Sequence, residues 1–126
     1  MHDSFKMNGR LHRDSGPALI HYYDHGVILF QQYNKEGKVH REDGPAYTDY
    51  DEDGNISFEK YYIGGRIHRE GGPAYIEYYN DGTVSCEMYY ISGKLHREEG
   101  PAVAHYSGDS IFFEKYYIAG KRVNNA

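Results

Sequence analysis

The chain has 126 residues with 14 Lys and Arg against 19 Asp and Glu, a formal charge of −5, 15 tyrosines, no tryptophan and a single cysteine. This length fits one domain, and the acid excess opposes a phosphate-backbone binder, which needs a net basic footprint, so direct nucleic-acid binding is not expected. The lone Cys86 excludes an internal disulfide and points to a reducing compartment; with no apolar leader and no membrane-spanning run, the expected location is the cytoplasm.

In chain order, one decapeptide recurs: GRLHRDSGPA at 9–18, GKVHREDGPA at 37–46, GRIHREGGPA at 65–74 and GKLHREEGPA at 93–102, a period of 28 residues. A fixed period of this size means one small unit stacked on copies of itself. The copies span 9–36, 37–64, 65–92 and 93–119, so residues 1–126 read as a single repeat domain with partial copies at both ends. Ser4 to Asn8 matches the end of a copy, and Gly120-Lys121 opens a fifth in which Val123 and Asn124 stand where His-Arg would be. The fourth copy is one residue short near Gly108 and Asp109, so its turn must differ.

Each copy reads as two antiparallel strands. Three glycine positions and a proline disfavour helix, while Ile, Val, Phe and Tyr favour a pleated surface. Pairs such as Asn8-Gly9, Asp53-Gly54, Gly64-Gly65 and Asp81-Gly82 supply the positive φ that tight hairpins demand. One strand is expected to run from the cation through His-Arg, kink at Gly-Pro and continue as PAYIEYY (73–79 in the third copy); the other is TVSCEMYYI (83–91). The predicted fold is all-β, an elongated single-layer antiparallel meander of four 28-residue repeats, with like residues repeating about 9–10 Å apart, two strand spacings.

That spacing rejects a shared metal site for His12, His40, His68 and His96, because zinc ligands must each approach within about 2.1 Å. In the simplest register His40, His68 and His96 lie opposite Tyr33, Tyr61 and Tyr89 as cross-strand ring pairs, with ligand contact as the alternative. Arg13, Arg41, Arg69 and Arg97 are expected to pair with acids of neighbouring copies, or to meet an anionic ligand as a row. Leu11, Val39, Ile67 and Leu95, the Ile28/Ile56/Val84/Ile111 row and Phe30, Phe58, Cys86 and Phe113 form the core-like face. The Gln31/Glu59/Glu87/Glu114 row and Ala46, Tyr50, Ala74 and Tyr78 fall on the other. His21, His25 and His105 read as surface. No nucleophile elbow, recurring serine–base pair or phosphate-cradling loop is present, so neither catalysis nor a cofactor is expected.

The run Tyr-Tyr-x-x-Gly-Lys-x-His, as in Tyr89 to His96, resembles the MORN-type (membrane-occupation-and-recognition-nexus) β-hairpin array. Typical copies of that family are shorter and continue Gly-Lys-x-His-Gly. The His-Arg-Glu-x-Gly-Pro-Ala form is more similar to a repeat group found in uncharacterised proteins of bacteriophages and large DNA viruses. The resemblance implies a non-enzymatic interaction scaffold, with a host protein as partner and inhibition of a host defence protein as the expected role. The binding residues are then the ordered rows Tyr50, Tyr78, Tyr61, Tyr89, Tyr116, Arg41, Arg69, Arg97, His40, His68 and His96. Two rival readings are sequestration of a nucleotide or other small ligand at an oligomer interface and structural self-assembly. An uncovered apolar sheet face also leaves room for a homodimer.

Overall fold

The computed structural model describes residues 1–124. They form one large antiparallel sheet of ten strands, meandering and elongated, with no closure into a barrel. In spatial order its strands are His2–Ser4, Leu19–Tyr22, Ile28–Gln32, Tyr47–Tyr50, Ile56–Lys60, Tyr75–Tyr78, Val84–Met88, Val103–Ser107, Ser110–Ile118 and Lys121–Val123. Beside it lie four two-stranded hairpins: Lys6–Met7 with Arg10–Leu11, Asn34–Lys35 with Lys38–Val39, Tyr62–Ile63 with Arg66–Ile67, and Tyr90–Ile91 with Lys94–Leu95. Tyr116–Ile118 with Lys121–Val123 adds a fifth, continuous with the long strand that precedes it.

The expected kink at Gly-Pro is therefore a larger break. In the second copy the strand Lys38–Val39 stops before His40 and the chain is not extended again until Tyr47. The intervening loop carries the whole His-Arg-x-x-Gly-Pro motif, because the guanidinium of the motif arginine binds the carbonyl of the motif proline and closes a tight loop over the sheet. The partner strand breaks too, at Tyr33, Tyr61 and Tyr89. Each copy thus supplies a hairpin to the main sheet and a smaller hairpin to a rim along its edge.

Turn chemistry fixes both sets. The rim turns carry two successive residues at positive φ, at Asn8-Gly9, Glu36-Gly37, Gly64-Gly65, Ser92-Gly93 and Ala119-Gly120, the pattern of a type I′ hairpin turn. At the opposite end, the Asp51 carboxylate accepts the Asp53 and Asn55 amides at 2.9 Å each, and Asp81 caps Thr83 in the same way. The fourth copy replaces this turn with Gly108-Asp109 between the paired Ser107 and Ser110, which accounts for its missing residue.

Registers sort the side chains. Phe30 pairs with His21 and Asp49, and Phe58 with Asp49 and Glu77, on one face; Gln31 pairs with Thr48, Glu59 with Ile76 and Glu87 with Ala104 on the other. A bulge at Tyr22, Tyr50, Tyr78 and Tyr106 recurs in every copy. The alternation matches expectation, but the burial is reversed. Ala18, Ala46, Ala74 and Ala102 are fully buried, each donating to one neighbouring strand and accepting from the other, beneath the motif loops. Phe30 and Phe58 are only half-buried, and Phe113 is 43% exposed. Loops cover small residues on the alanine face, whereas nothing covers the large ones on the ring face. Cys86, 2% exposed, is the exception there, together with Val103 at 7% on the neighbouring strand.

This packing makes the sheet sensitive to alkali. Burial pushes the Cys86 thiol up to about 11 and the Tyr47 and Tyr106 phenols up to about 12; Tyr75 and Tyr78 are raised further by burial and by hydrogen bonds to Glu77 and Glu59. Folded values above the unfolded ones mean that stability is full below about pH 9 and is lost as pH rises through about 11–12. The expected result is loss of the β circular dichroism signal together with the rise in phenolate absorbance in this window. Phenolate formation at these tyrosines with the sheet intact would contradict it.

Candidate functional site

The motif loop is built around its arginine. Arg13, Arg41, Arg69 and Arg97 lie over the rings of Phe5, Tyr33, Tyr61 and Tyr89, with 4.0, 4.0, 4.1 and 4.0 Å from Cζ to the ring centroid. Each donates Nη1–H to the carbonyl of its own Pro17, Pro45, Pro73 or Pro101 at 3.1 Å. The glycine before the proline lies against the same guanidinium: a Cβ at Gly44, Gly72 or Gly100 would come within 2.9 Å of the arginine Cζ. The His-Arg-x-x-Gly-Pro spelling is thus one steric unit, in which a planar cation fits between an aromatic ring and a residue without a side chain. Among the described residues, Arg41 alone of the four also meets an acid, Asp43 of its own loop at 2.8 Å. The expected pairing with acids of neighbouring copies does not occur at these arginines, because the ring and the proline carbonyl occupy the guanidinium.

The histidines stitch neighbouring rim hairpins together. The Glu36, Gly64, Ser92 and Ala119 amides donate to Nδ1 of His12, His40, His68 and His96 at 3.0, 2.9, 2.8 and 2.9 Å. These donors are the first positive-φ residues of the rim turns, so each histidine holds the next hairpin's turn in its left-handed conformation. An Nδ1 that accepts leaves the proton on Nε2, which faces Asp14, Glu42 and Glu98 at 2.8, 3.2 and 3.3 Å and Glu70 at 3.7 Å. The predicted backbone pairing stands, with the His40 amide on the Tyr33 carbonyl at 3.0 Å. The ring contact belongs to the arginine, not to the histidine.

The tyrosine rows divide. Tyr61 and Tyr89 lie under arginines, while the Tyr78 and Tyr106 hydroxyls donate to Glu59 and Glu87 at 2.6 Å each and Tyr116 donates to Glu114 at 3.1 Å. Burial, then Glu59 and Tyr33, raise the Tyr50 phenol. These groups run along the alanine face beside the loops, so the structure brings the eleven sequence-predicted binding residues into one strip. Within it the arginines and histidines are committed to holding the loops.

The most exposed groups of the motif loops are their carboxylates, even where they face a histidine or Arg41. Asp14, Glu42, Asp43, Glu70 and Glu98 are 78–87% exposed, whereas Arg41 is only 25% exposed. Between successive loops open three similar grooves of about 570, 590 and 640 Å³, lined in the second by Arg41, Glu42, Tyr61, His68, Arg69 and Glu70 among others. Among the described residues no three His, Cys, Asp or Glu side chains group closely enough to hold a metal ion, and no helix is long and apolar enough to cross a membrane.

A feature that residue-by-residue reading missed is a ring ladder on the other face. His2, His21, Phe30, Tyr47, Phe58 and Tyr75 follow one another with centroids 4.6–5.9 Å apart, and the Lys60 ammonium lies 5.3, 5.8 and 6.0 Å from Phe58, Tyr47 and Tyr75. His21, read as a surface residue, is part of this ladder; His105 similarly packs on Phe113 and touches Cys86 Sγ at 3.9 Å. The signal for it in the sequence is that Phe30 and Phe58 fall opposite polar-looking positions on the adjacent strands. No protein-family model, curated protein or solved structure matches the chain.

If the arginine needs the glycine, the two must couple. Gly72→Ala is expected to destabilise the fold by about 1–3 kcal/mol through the clash with Arg69. In a thermal or urea double-mutant cycle, most of that cost should disappear in the Arg69→Ala background. Simple additivity of the two changes would show that the guanidinium is not what excludes a side chain there.

Proposed function

We propose that this chain is a non-enzymatic protein-binding module that reads an elongated partner along its loop rim. The observation that carries this reading is the repeated groove. Three open grooves of nearly equal size follow the sequence period, each walled by an arginine stacked on an aromatic ring and lipped by exposed carboxylates. Recognition favours surfaces held rigid before binding, because ordering side chains on contact costs affinity. Here the walls are held by cation–ring stacking, carbonyl bonds and histidine bridges before any partner arrives. Tyrosine and arginine are also the residues that dominate interface energetics. Outward carboxylates with inward guanidiniums favour a partner presenting Lys or Arg at a matching repeat, roughly every 9–10 Å. The resemblance to the phage and large-virus repeat group supports a host protein as that partner.

The test uses the whole chain as bait. A stoichiometric partner should be recovered, and Glu42→Lys, Glu70→Lys and Glu98→Lys together should weaken its binding by about tenfold or more, mainly through slower association at low salt. Recovery of no stoichiometric partner at either low or high salt would remove the reading. Unchanged binding by the triple variant would move the contact away from the rim.

A further inference from the structure

The ring face carries a charge pattern of a particular symmetry. Two rows of side chains run along it. One contains Tyr47, Lys60 and Tyr75 as directly paired neighbours, and the other contains Asp49, Phe58 and Glu77, also as paired neighbours. The first row therefore holds a cation between two rings, and the second a ring between two carboxylates, at the same position along the ribbon. Toward the far end Lys115 and Phe113 repeat the cation-and-ring half of the pattern.

We propose that the ring face is a self-association surface on which two copies pack face to face about a two-fold axis running along the ribbon between these rows. Such an axis keeps each strand's position along the ribbon and exchanges the rows. Lys60 then stands over the partner copy's Phe58 with that copy's Asp49 and Glu77 on either side, and the reciprocal contact is made by symmetry. Sheets packed this way lie about 10 Å apart, the distance at which opposed aromatic and lysine side chains meet. The pairing is balanced in charge: each Lys60 meets two carboxylates of the other copy, whose Asp49 and Glu77 lie across from Tyr47 and Tyr75.

The alanine face cannot pair in this way. Glu59, Glu87 and Glu114 recur along its central row, paired there with Ile76, Ala104 and no cation, so two copies would oppose like charge. Phe113 stands 43% exposed on the ring face, whereas the motif alanines are fully buried. Self-association through the ring face leaves both loop rims free, and so does not depend on the rim reading.

Sedimentation equilibrium of the full chain measures this directly. The expected species is a concentration-dependent dimer of twice the 14.6 kDa chain mass. Lys60→Glu, which places six carboxylates and no central cation at the contact, should weaken the dimer by about a hundredfold or more. Lys60→Glu combined with Asp49→Lys and Glu77→Lys should restore it, which separates lost contact from lost folding, with circular dichroism confirming the sheet in each variant. Glu70→Lys on the rim should leave the dimer unchanged. A chain that stays monomeric at high micromolar concentration overturns the proposal, as does a dimer that survives Lys60→Glu or is not rescued by the charge exchange. Loss of the dimer with Lys60→Glu but not with the rim triple variant, and the converse for partner capture, keeps the two surfaces distinguishable.

Discussion

The fold depends on how a single sheet manages without a second layer. An isolated layer leaves both faces of every strand wet, and the usual remedy is another sheet or a helix on at least one of them. Here the remedy is a seven-residue loop closed by one arginine. Stacking a guanidinium on a ring contributes about 0.5–2 kcal/mol, depending on how dry the contact is, and the charged hydrogen bond to the proline carbonyl adds to it. Lysine could not replace it, since a point charge lacks the plane that fits between ring and glycine. The proline helps by fixing its own φ in the closed loop, and its missing N–H removes a donor that the loop could not satisfy. What the loop covers is correspondingly small: a row of alanines, whose 0% exposure needs only a thin lid.

The histidine bridges convert this local unit into an array. Each arginine binds the ring at the end of the preceding copy, and each histidine accepts from the turn of the next rim hairpin. Every loop is therefore tied in both directions, yet only to its nearest neighbours, the condition under which stability becomes a sum of unit and interface terms. The strained turns show the direction of the dependence. Glu36, Ser92 and Ala119 occupy left-handed backbone that glycine would adopt more cheaply, and each is the residue whose amide the histidine holds. Protonation at Nδ1 would set two donors against each other, so the bridge requires the neutral tautomer.

Much of this was legible in the residues, and the part that was not has a common cause. Asn8-Gly9 and Gly64-Gly65 mark rim turns, Asp53-Gly54 and Asp81-Gly82 mark turns at the opposite end, and the alternation of Phe58 with Glu59 separates the two faces, because these signals are local. Burial is not legible in the same way, because size does not report depth: Phe58 looks like core beside Ala46, and only the folded loop reveals that the alanine is the covered one. The loop itself was read as strand because its closure depends on a ring from the preceding copy and a backbone carbonyl. Neither shows up as a complementary residue type. The same blindness made the arginine row look free for a ligand. A cation whose partners are a tyrosine face and a carbonyl has no nearby acid to mark it as occupied.

The two faces therefore divide the work by what each leaves unsatisfied. On the alanine face the tyrosine hydroxyls are answered internally, Tyr78 by Glu59 and Tyr106 by Glu87, and the strongly exposed carboxylates sit at the loop lips. On the ring face the tyrosine hydroxyls reach Asp49 and Glu77 within their own strands, but the rings are left without cover. One break in the period falls on this second face. Cys86 takes the place of a phenylalanine near the buried Val103, while the long strand Ser110–Ile118 keeps Phe113 in the row, 43% exposed. A rim interaction repeated from groove to groove needs the period kept, and the motif loops keep it. A face-to-face contact organised about one axis needs only one charged centre, and Lys60, the single cation lying over three rings, is the residue that gives this face a centre.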